Sequence, residues 1–319
     1  MTQDSLNDFE LSTRQQALAQ LAKEEKFPPV RPFVNAHAHT FYSFNYKGYS
    51  PIRFVVEARR EGLEMGGIVD FDVLDGLEEF WEASRLLDLK GCVGIESRVF
   101  VPEFSDREIN SPGEPGISYH MGTGFTTTSI PAKAQAFLDN MRSTSAQRNQ
   151  AMVKRVNEFL SPLVLNYDAD VLPLTPNGNA TERHLCLAYA RKAASMFPEE
   201  ADLRKFWSEK LGVSQDDIKD LPEGRPITDL IRAKTMKQGG VGYVKPDSGS
   251  FPKMAEMNEF VLLCGAIPTF TWLDGCSSGE QSIEELVEVG RSTGVAAFNI
   301  IPDRNYTPGQ PNQKLDNLN

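Results

Sequence analysis

The feature that most constrains the fold is a regular alternation of strand-like and helical patterns that begins at residue 33. We predict strands at FVNA, GGIVDF, GCVGIESRVFV and GISYHMG, with helices near 51 to 62 and near 76 to 89. The alternation resumes with a helix near 252 to 264, the strand AIPTFTW, a helix near 281 to 292 and the strand VAAFNII. The pattern predicts an α/β fold with six core strands, arranged as one barrel or one open sheet.

Two further segments flank or interrupt this alternation. Residues 10 to 25 repeat apolar side chains at spacings of three and four, which predicts an amphipathic helix. We therefore expect a helical leader at residues 1–30 and a barrel domain at residues 31–319. Because 131–160 and 181–240 carry helical patterning without a convincing strand, we expect a mainly helical insertion at about 131–240.

Composition limits the partners of the chain. Its 319 residues include 44 acidic and 33 basic ones, and the formal charge of −11 disfavours nucleic acid and anionic membranes as partners. No apolar run approaches the roughly 20 residues that span a bilayer, and the polar N-terminus lacks signal-peptide character. The four cysteines form no CxxC pair, so we expect reduced thiols and a cytoplasmic protein. The oligomeric state is left open.

The strongest local signal for chemistry is NAHAHT, residues 35 to 40, at the end of the first strand. Strand alternation places His37 and His39 on the same face, where two imidazoles can share one metal ion. The alternative is a pair of surface or hydrogen-bonded histidines. Since the chain has four histidines in all, this spacing favours metal binding.

Polar residues also recur near the ends of the next strands. They are Asp70 and Asp72 in VDFD, Glu96 in GIES and His120 in SYHMG. In parallel barrels the carboxyl ends of the strands form the active-site rim, although a single aspartate there can also cap a helix. Glu96 interrupts an apolar run, and a buried carboxylate needs a cation or strong donors. These residues predict a metal site at the rim.

In this order, NAHAHTFYS, GGIVDFDVLDGLEEF, GCVGIE and YHMGTG resemble the motifs of the PHP (polymerase and histidinol phosphatase) family over residues 33 to 124. The resemblance implies a distorted (β/α)7-like barrel, up to three zinc, manganese or iron ions, and hydrolysis of phosphate esters. It also implies that His37 and His39 hold the first metal, that Glu96 bridges two metals and that His120 ligates the second.

Departures from the family pattern reduce the expected metal centre. Phe71 stands where the family has a histidine after the aspartate of the second strand, Asn45 stands where a further Asp or His ligand is usual, and Ile267 replaces the histidine of Ala-His-Pro. Phe and Ile cannot coordinate a metal, so we expect one or two divalent ions rather than three. Glu96 and Asp70 are the expected catalytic residues.

Four residues are weaker candidates in the second half of the chain. His184, in NATERHLCLAYA, resembles the family's Arg-Pro-His segment in altered order and is either a ligand or an ordinary helix residue. Arg183 and Arg304 are candidate phosphate-binding residues, and a solvated surface arginine is the alternative for Arg183. Asp274, in TWLDG, is a candidate ligand that could equally be a loop or capping residue.

The segment PDRN, residues 302 to 305, is a weak match to the family's last signature, Ser-Asp-x-His. It makes Asp303 a provisional metal ligand, with Asn305 where the histidine is expected. PDRN follows the sixth predicted strand, whereas the signature belongs on the seventh. We therefore hypothesise that the barrel stops one strand short.

Three functions fit these residues. The leading one is a metal-dependent phosphoesterase that acts on a small phosphorylated molecule. The second is a catalytically degenerate PHP-like barrel that binds metal and a small ligand, because several family ligands are missing. The third is a hydrolase of a substrate that contains no phosphate.

Overall fold

The computed structural model describes residues 3–44, 47–127, 129–244, 249–306, 308–309 and 313–318. Contacts group the chain into two compact units. The first comprises Met1–Thr40, Tyr49–Met141 and Pro246–Asn319, and the second comprises Phe41–Gly48 and Arg142–Lys245. Among the described residues, no helix is long and apolar enough to cross a membrane.

The first unit is built on one curled sheet of six strands, which forms a half-barrel. The strands are β1 (Arg31–Ala38), β2 (Leu63–Phe71), β3 (Lys90–Phe100), β4 (Ile117–Thr123), β5 (Ile267–Thr271) and β6 (Ala297–Asn299). They lie in sequence order, with β1 and β6 at the two edges of the described sheet. Each of the six predicted strands is thereby confirmed.

Strand β4 runs opposite to both of its neighbours, whereas β1, β2 and β3 are parallel to one another and β5 is parallel to β6. The connection from β3 to β4 contains the short 3-10 helix Pro102–Phe104 and no α-helix. A parallel neighbour needs a long crossover, usually a helix, so this connection returns the chain antiparallel. The end of β4 therefore does not join the carboxyl ends of β1, β2 and β3.

The first unit also contains helices, several of which pack on one face of the sheet. They are α1 (Leu11–Glu24), α2 (Pro51–Arg60), α3 (Leu77–Leu86), α8 (Met254–Leu263), α9 (Ser278–Gln281), α10 (Ile283–Thr293), α11 (Pro302–Asn305) and α12 (Gln313–Leu318). The predicted leader helix and the helices near 51, 76, 252 and 281 are confirmed. Helix α2 begins at a capping residue: the side chain of Ser50 accepts a hydrogen bond from the Arg53 amide (3.0 Å), and Pro51 follows as the first helical residue.

Two glycines show how closely these helices pack on the sheet. A methyl group at Gly91 of β3 would lie 2.8 Å from the Phe80 ring of α3, and one at Gly122 of β4 would lie 2.5 Å from Val261 of α8. We call this side the helix face. Because side chains alternate along a strand, Gly91 shares it with Ile95. The opposite side, which carries Glu96, is called the site face.

The second unit is helical and has its own core. It contains the part of α4 (Ala132–Leu160) after Met141, together with α5 (Glu182–Met196), α6 (Glu200–Leu211) and α7 (Arg225–Thr235). Trp207, Tyr189 and Ile231 are fully buried in one apolar cluster of this unit. Helix α6 ends at Gly212, whose positive φ of 63° suits a left-handed C-terminal residue.

Candidate metal centre

Three side chains converge on the site face of the first unit. His37 lies in β1, His39 follows the end of β1, and Glu96 lies in β3. Their ligand atoms all lie within 4.8 Å of one another, and no other His, Cys, Asp or Glu of the described residues joins this group. The spacing of the two histidines therefore predicted their shared face, and the curled sheet brings Glu96 to them across β2.

The distances within the group match those around a bound metal. The Nε2 atoms of His37 and His39 lie 3.4 and 3.2 Å from the same oxygen, Oε2 of Glu96. With metal–ligand bonds of about 2.0 to 2.2 Å, two ligands of a tetrahedral ion are separated by roughly 3.3 to 3.6 Å. The 3.4 Å separation lies within this range, and the 3.2 Å separation lies just below it. Two imidazoles and one carboxylate also form a donor set that leaves coordination positions open for water and substrate.

Electrostatics keep the Glu96 carboxylate ionised. Burial alone would raise its pKa, but hydrogen bonds from His37 and His39 and their charges outweigh burial and lower the pKa to about 2. For His37, burial would lower the pKa, whereas the hydrogen bond to Glu96 and the charge of Glu96 raise it overall. A proton on His37 is therefore stabilised by the ionised Glu96, and a divalent cation can replace that proton.

Asp70, the other expected catalytic residue, lies on the helix face. Its carboxylate accepts hydrogen bonds from the amide of Thr40 (2.8 Å) and from the Thr40 hydroxyl (2.7 Å), and its side chain is buried. Its register partner on β3 is Ile95, whose side chain belongs to the core. Asp70 thus lies on the side of the sheet opposite to the three ligands, and its catalytic role stays a prediction.

His120 also lies on the helix face. It is fully buried, it pairs in register with Ser97, and its Nε2 lies 2.6 Å from Oδ1 of Asn258 in α8. Burial lowers its pKa to about 4, against the smaller opposite effect of the Asn258 hydrogen bond. The structure does not bring His120 to the metal centre, because its register partner Ser97 lies on the helix face. The role of His120 as a metal ligand stays a prediction.

Two residues that the sequence reasoning missed lie on the site face instead. Tyr119 pairs in register with Arg98, two positions beyond Glu96 on β3. Nη1 of Arg98 donates to both oxygens of Glu114 (3.1 and 3.0 Å), and its guanidinium lies 4.4 Å from the centre of the Phe251 ring. Alternation along β3, counted from Glu96, was the available signal for Arg98.

His184 and Arg183 lie in the second unit, at the start of α5. Nδ1 of His184 accepts a hydrogen bond from the Thr181 amide (3.0 Å) in a capping box, and burial lowers the His184 pKa to about 4. Arg183 forms an ion pair with Asp229 of α7. Both side chains are buried and stabilise the helical unit, which favours the structural alternative for each. Their roles as ligand and phosphate-binding residue stay predictions.

The remaining candidates follow β5 and β6. Asp274 forms ion pairs with Arg304 (3.2 Å) and Lys314 (3.0 Å), so its carboxylate is already engaged with cations. Asn305 is buried and donates to the carbonyl of Leu273 (3.1 Å). The side chain of Asp303 and the whole of Asn45 lie outside the described residues.

Two positions that depart from the family pattern, Phe71 and Ile267, lie in β2 and β5. Phe71 stacks on His39, with ring centres 4.3 Å apart and planes at 26°. An aromatic ring therefore occupies the place beside His39 where a further ligand was expected. Ile267 is the first residue of β5 and is half exposed.

Comparison with known proteins finds similarity in both sequence and structure. No family model matches the chain. The DNA polymerase III subunit alpha of Saccharopolyspora erythraea is 24% identical over 224 residues, which are 66% of this chain and 18% of that protein. The chain thus spans a small part of the length of that relative.

Two of the similar solved structures have a TM-score of 0.58 to this chain. An amidohydrolase from Chromobacterium violaceum, with bound sulfate and no metal, is 15% identical and covers 83% of this chain and 75% of its own. A protein from Bifidobacterium adolescentis, assigned as a metal-dependent phosphoesterase, is 17% identical and covers 91% and 83%. These similarities show the mixed α/β half-barrel fold. Together with the polymerase subunit, they are consistent with a PHP-type domain.

Proposed function

We propose that this protein is a metal-dependent hydrolase that holds a single divalent ion between His37, His39 and Glu96. The observation that carries the proposal is the convergence of both Nε2 atoms on one carboxylate oxygen, at 3.4 and 3.2 Å. Zinc, manganese and iron all accept this donor set. We favour one ion because Phe71, which cannot coordinate a metal, adjoins His39.

The ion would supply Lewis acidity, since it lowers the pKa of a bound water and polarises a substrate oxygen. His37 and His39 contribute neutral imidazoles, and Glu96 contributes one negative charge. These side chains leave one positive charge of a divalent ion uncompensated, which favours a substrate with an anionic group. Arg98 shares the site face with Glu96, and we propose that it contacts that group.

A small phosphoester is the substrate that we propose first. The positive charge left at the centre supports it, and so does the phosphoesterase assignment of the Bifidobacterium adolescentis neighbour. An amide or ester without phosphate is the second candidate, because the neighbour from Chromobacterium violaceum is an amidohydrolase. The stacking of Phe71 on His39 supports a third, a barrel that binds metal and ligand without turnover.

Elemental analysis tests the centre directly. We expect about one equivalent of zinc, manganese or iron per wild-type chain, and loss of that metal in His39→Gln and Glu96→Gln. His120→Gln is the matched control, because it removes a buried histidine that lies on the helix face, and it should keep the metal. A metal content that falls in His120→Gln but persists in Glu96→Gln would overturn this ligand set.

Activity screens then separate the three functions. Wild-type protein loaded with Mn²⁺ or Zn²⁺ is tested on panels of phosphoesters and of amides. Turnover of phosphoesters that is lost in Glu96→Gln supports the first candidate, and amide turnover supports the second. A metal-loaded protein that is inactive on both panels supports binding without catalysis.

A further inference from the structure

We propose that the end of β2, Asp70–Asp72, sets the affinity of the metal centre without contacting the metal. This inference rests on the proposed function, since it assumes that His37, His39 and Glu96 bind the ion. The ligands come from β1 and β3, which are not neighbours in the sheet, and β2 is hydrogen-bonded to both. Each of the three residues at the end of β2 contacts a metal ligand or the residue that follows a ligand in the chain.

Asp70 fixes the end of β1. Its two oxygens accept separate hydrogen bonds from the amide and the hydroxyl of Thr40, which directly follows His39. The register between β1 and β2 shifts between Asn35 and Ala38, so the ladder itself is irregular where the two histidines lie. The buried Asp70 carboxylate holds the end of β1 at this irregular point with two charge-assisted hydrogen bonds.

Asp72 does the same for β3. Its Oδ1 accepts a hydrogen bond of 2.6 Å from the hydroxyl of Ser97, which directly follows Glu96. Its amide donates to the carbonyl of Glu96 itself at 2.9 Å. Asp72 has a positive φ of 59°, a conformation that aspartate tolerates better than most residues. One of these hydrogen bonds holds the Glu96 backbone directly, and the other holds the side chain of the next residue.

Phe71 points to the opposite side from these two carboxylates. Its ring stacks on the imidazole of His39, which limits rotation of that imidazole about its side-chain bonds. The segment therefore holds the backbone of two ligands from the helix face and the ring of one ligand from the site face. Partners of this kind, one step removed from the metal, typically change metal affinity by about 10- to 100-fold.

The test is the dissociation constant of Zn²⁺, measured by competition with a fluorescent chelator. We expect Thr40→Val and Ser97→Ala to weaken binding by about tenfold each. Thr40→Ser and Ser97→Thr, which keep the hydroxyl donors, should restore wild-type affinity. In a double-mutant cycle, Asp70→Asn and Thr40→Val should weaken binding by less than the product of their separate effects, because they disrupt one shared contact.

A spectroscopic measurement separates positioning from general stability. Co²⁺ bound to Phe71→Leu should give visible bands that are shifted from the wild type, since the His39 ring can turn. The matched control is Glu79→Gln, which disrupts a buried ion pair with Arg14 away from the ligands. It should lower the melting temperature and leave the Zn²⁺ affinity within about twofold.

The outcomes distinguish this inference from the proposed function. A wild-type protein without measurable affinity for Zn²⁺ or Co²⁺ overturns the metal centre, and the inference with it. A tight wild type, with Thr40→Val and Ser97→Ala both folded and both within twofold of it, overturns the inference alone. An equal loss of Zn²⁺ affinity in Glu79→Gln would also overturn the inference. The loss of affinity would then follow from lower stability of the fold rather than from the position of the ligands.

Discussion

The placement of His120 in the core leads to a prediction about acid stability. A buried histidine that stays neutral stabilises the fold above the pKa of the unfolded chain, near 6.5, and this stability is lost as the pH falls toward the folded pKa. The pKa of His120 is lowered to about 4 by burial. Between these two pKa values we therefore expect His120 to be protonated in the unfolded state and neutral in the folded state.

The magnitude follows from the two pKa values. Between pH 7 and pH 5 the protonation of His120 in the unfolded chain should cost about 2 kcal/mol, and between pH 7 and pH 4 about 3 kcal/mol. His120→Gln removes this titration. At pH 7 the variant should be less stable than the wild type, by about 1 to 2 kcal/mol, because a well-packed buried contact with Asn258 is altered. That difference should shrink or reverse at pH 5.

The assay is urea unfolding of both proteins at pH 7 and pH 5 in the presence of EDTA, monitored by two probes because the chain has two compact units. The decisive quantity is the change with pH in the difference between the two proteins. A difference that stays constant from pH 7 to pH 5 would refute the argument. So would a pH dependence that appears only when Zn²⁺ is present, since His120 would then act as a ligand.

Three further predictions concern the centre and the packing around it. The affinity for Zn²⁺ should increase by up to tenfold per pH unit until the pH passes the raised pKa of His37, because the metal displaces the proton on His37. Calorimetry in two buffers of different ionisation enthalpy measures the number of protons released. A value of zero would contradict the prediction. Gly122→Ala should destabilise the first unit by about 1 to 3 kcal/mol in urea unfolding, because the new methyl would lie 2.5 Å from Val261; an unchanged midpoint would show that α8 adjusts freely. Arg98→Gln should raise KM more than it lowers kcat on any anionic substrate that the screens identify, and equal KM values would remove Arg98 from substrate binding.

The architecture of the first unit could be predicted from the sequence because its strands and helices alternate with clear apolar periods. The strand at Ile117–Thr123 was also found, but its direction was not. Direction depends on how the 16 residues or so that precede it return to the sheet, and that segment carries no helical period to signal a crossover. The reversal is a property of tertiary packing that a local pattern does not contain.

The same limit separates His37 and His39, whose shared face could be predicted, from His120, whose face could not. His37 and His39 lie on one strand, where alternation alone gives their shared face. Tyr119 and His120 are also fixed by alternation, but their assignment to a face depends on the register with Ser97, and a shift by one residue exchanges the two sides. A histidine within a strand is thus a ligand candidate only as far as the register of that strand is known.

Asp70 illustrates a further step that local patterns do not supply. The sequence marks it as an acidic residue at a strand end, and this description fits a catalytic base, a ligand and a support equally well. What distinguishes them is that β2 lies between the two strands that carry ligands, so a carboxylate on its helix face can reach Thr40 but not the metal. The order of strands therefore decides the chemistry of Asp70. If the Thr40 variants leave the Zn²⁺ affinity unchanged, the backbone hydrogen bonds between β1 and β2 are sufficient to position β1. The Asp70 carboxylate would then stabilise the fold without affecting the metal centre.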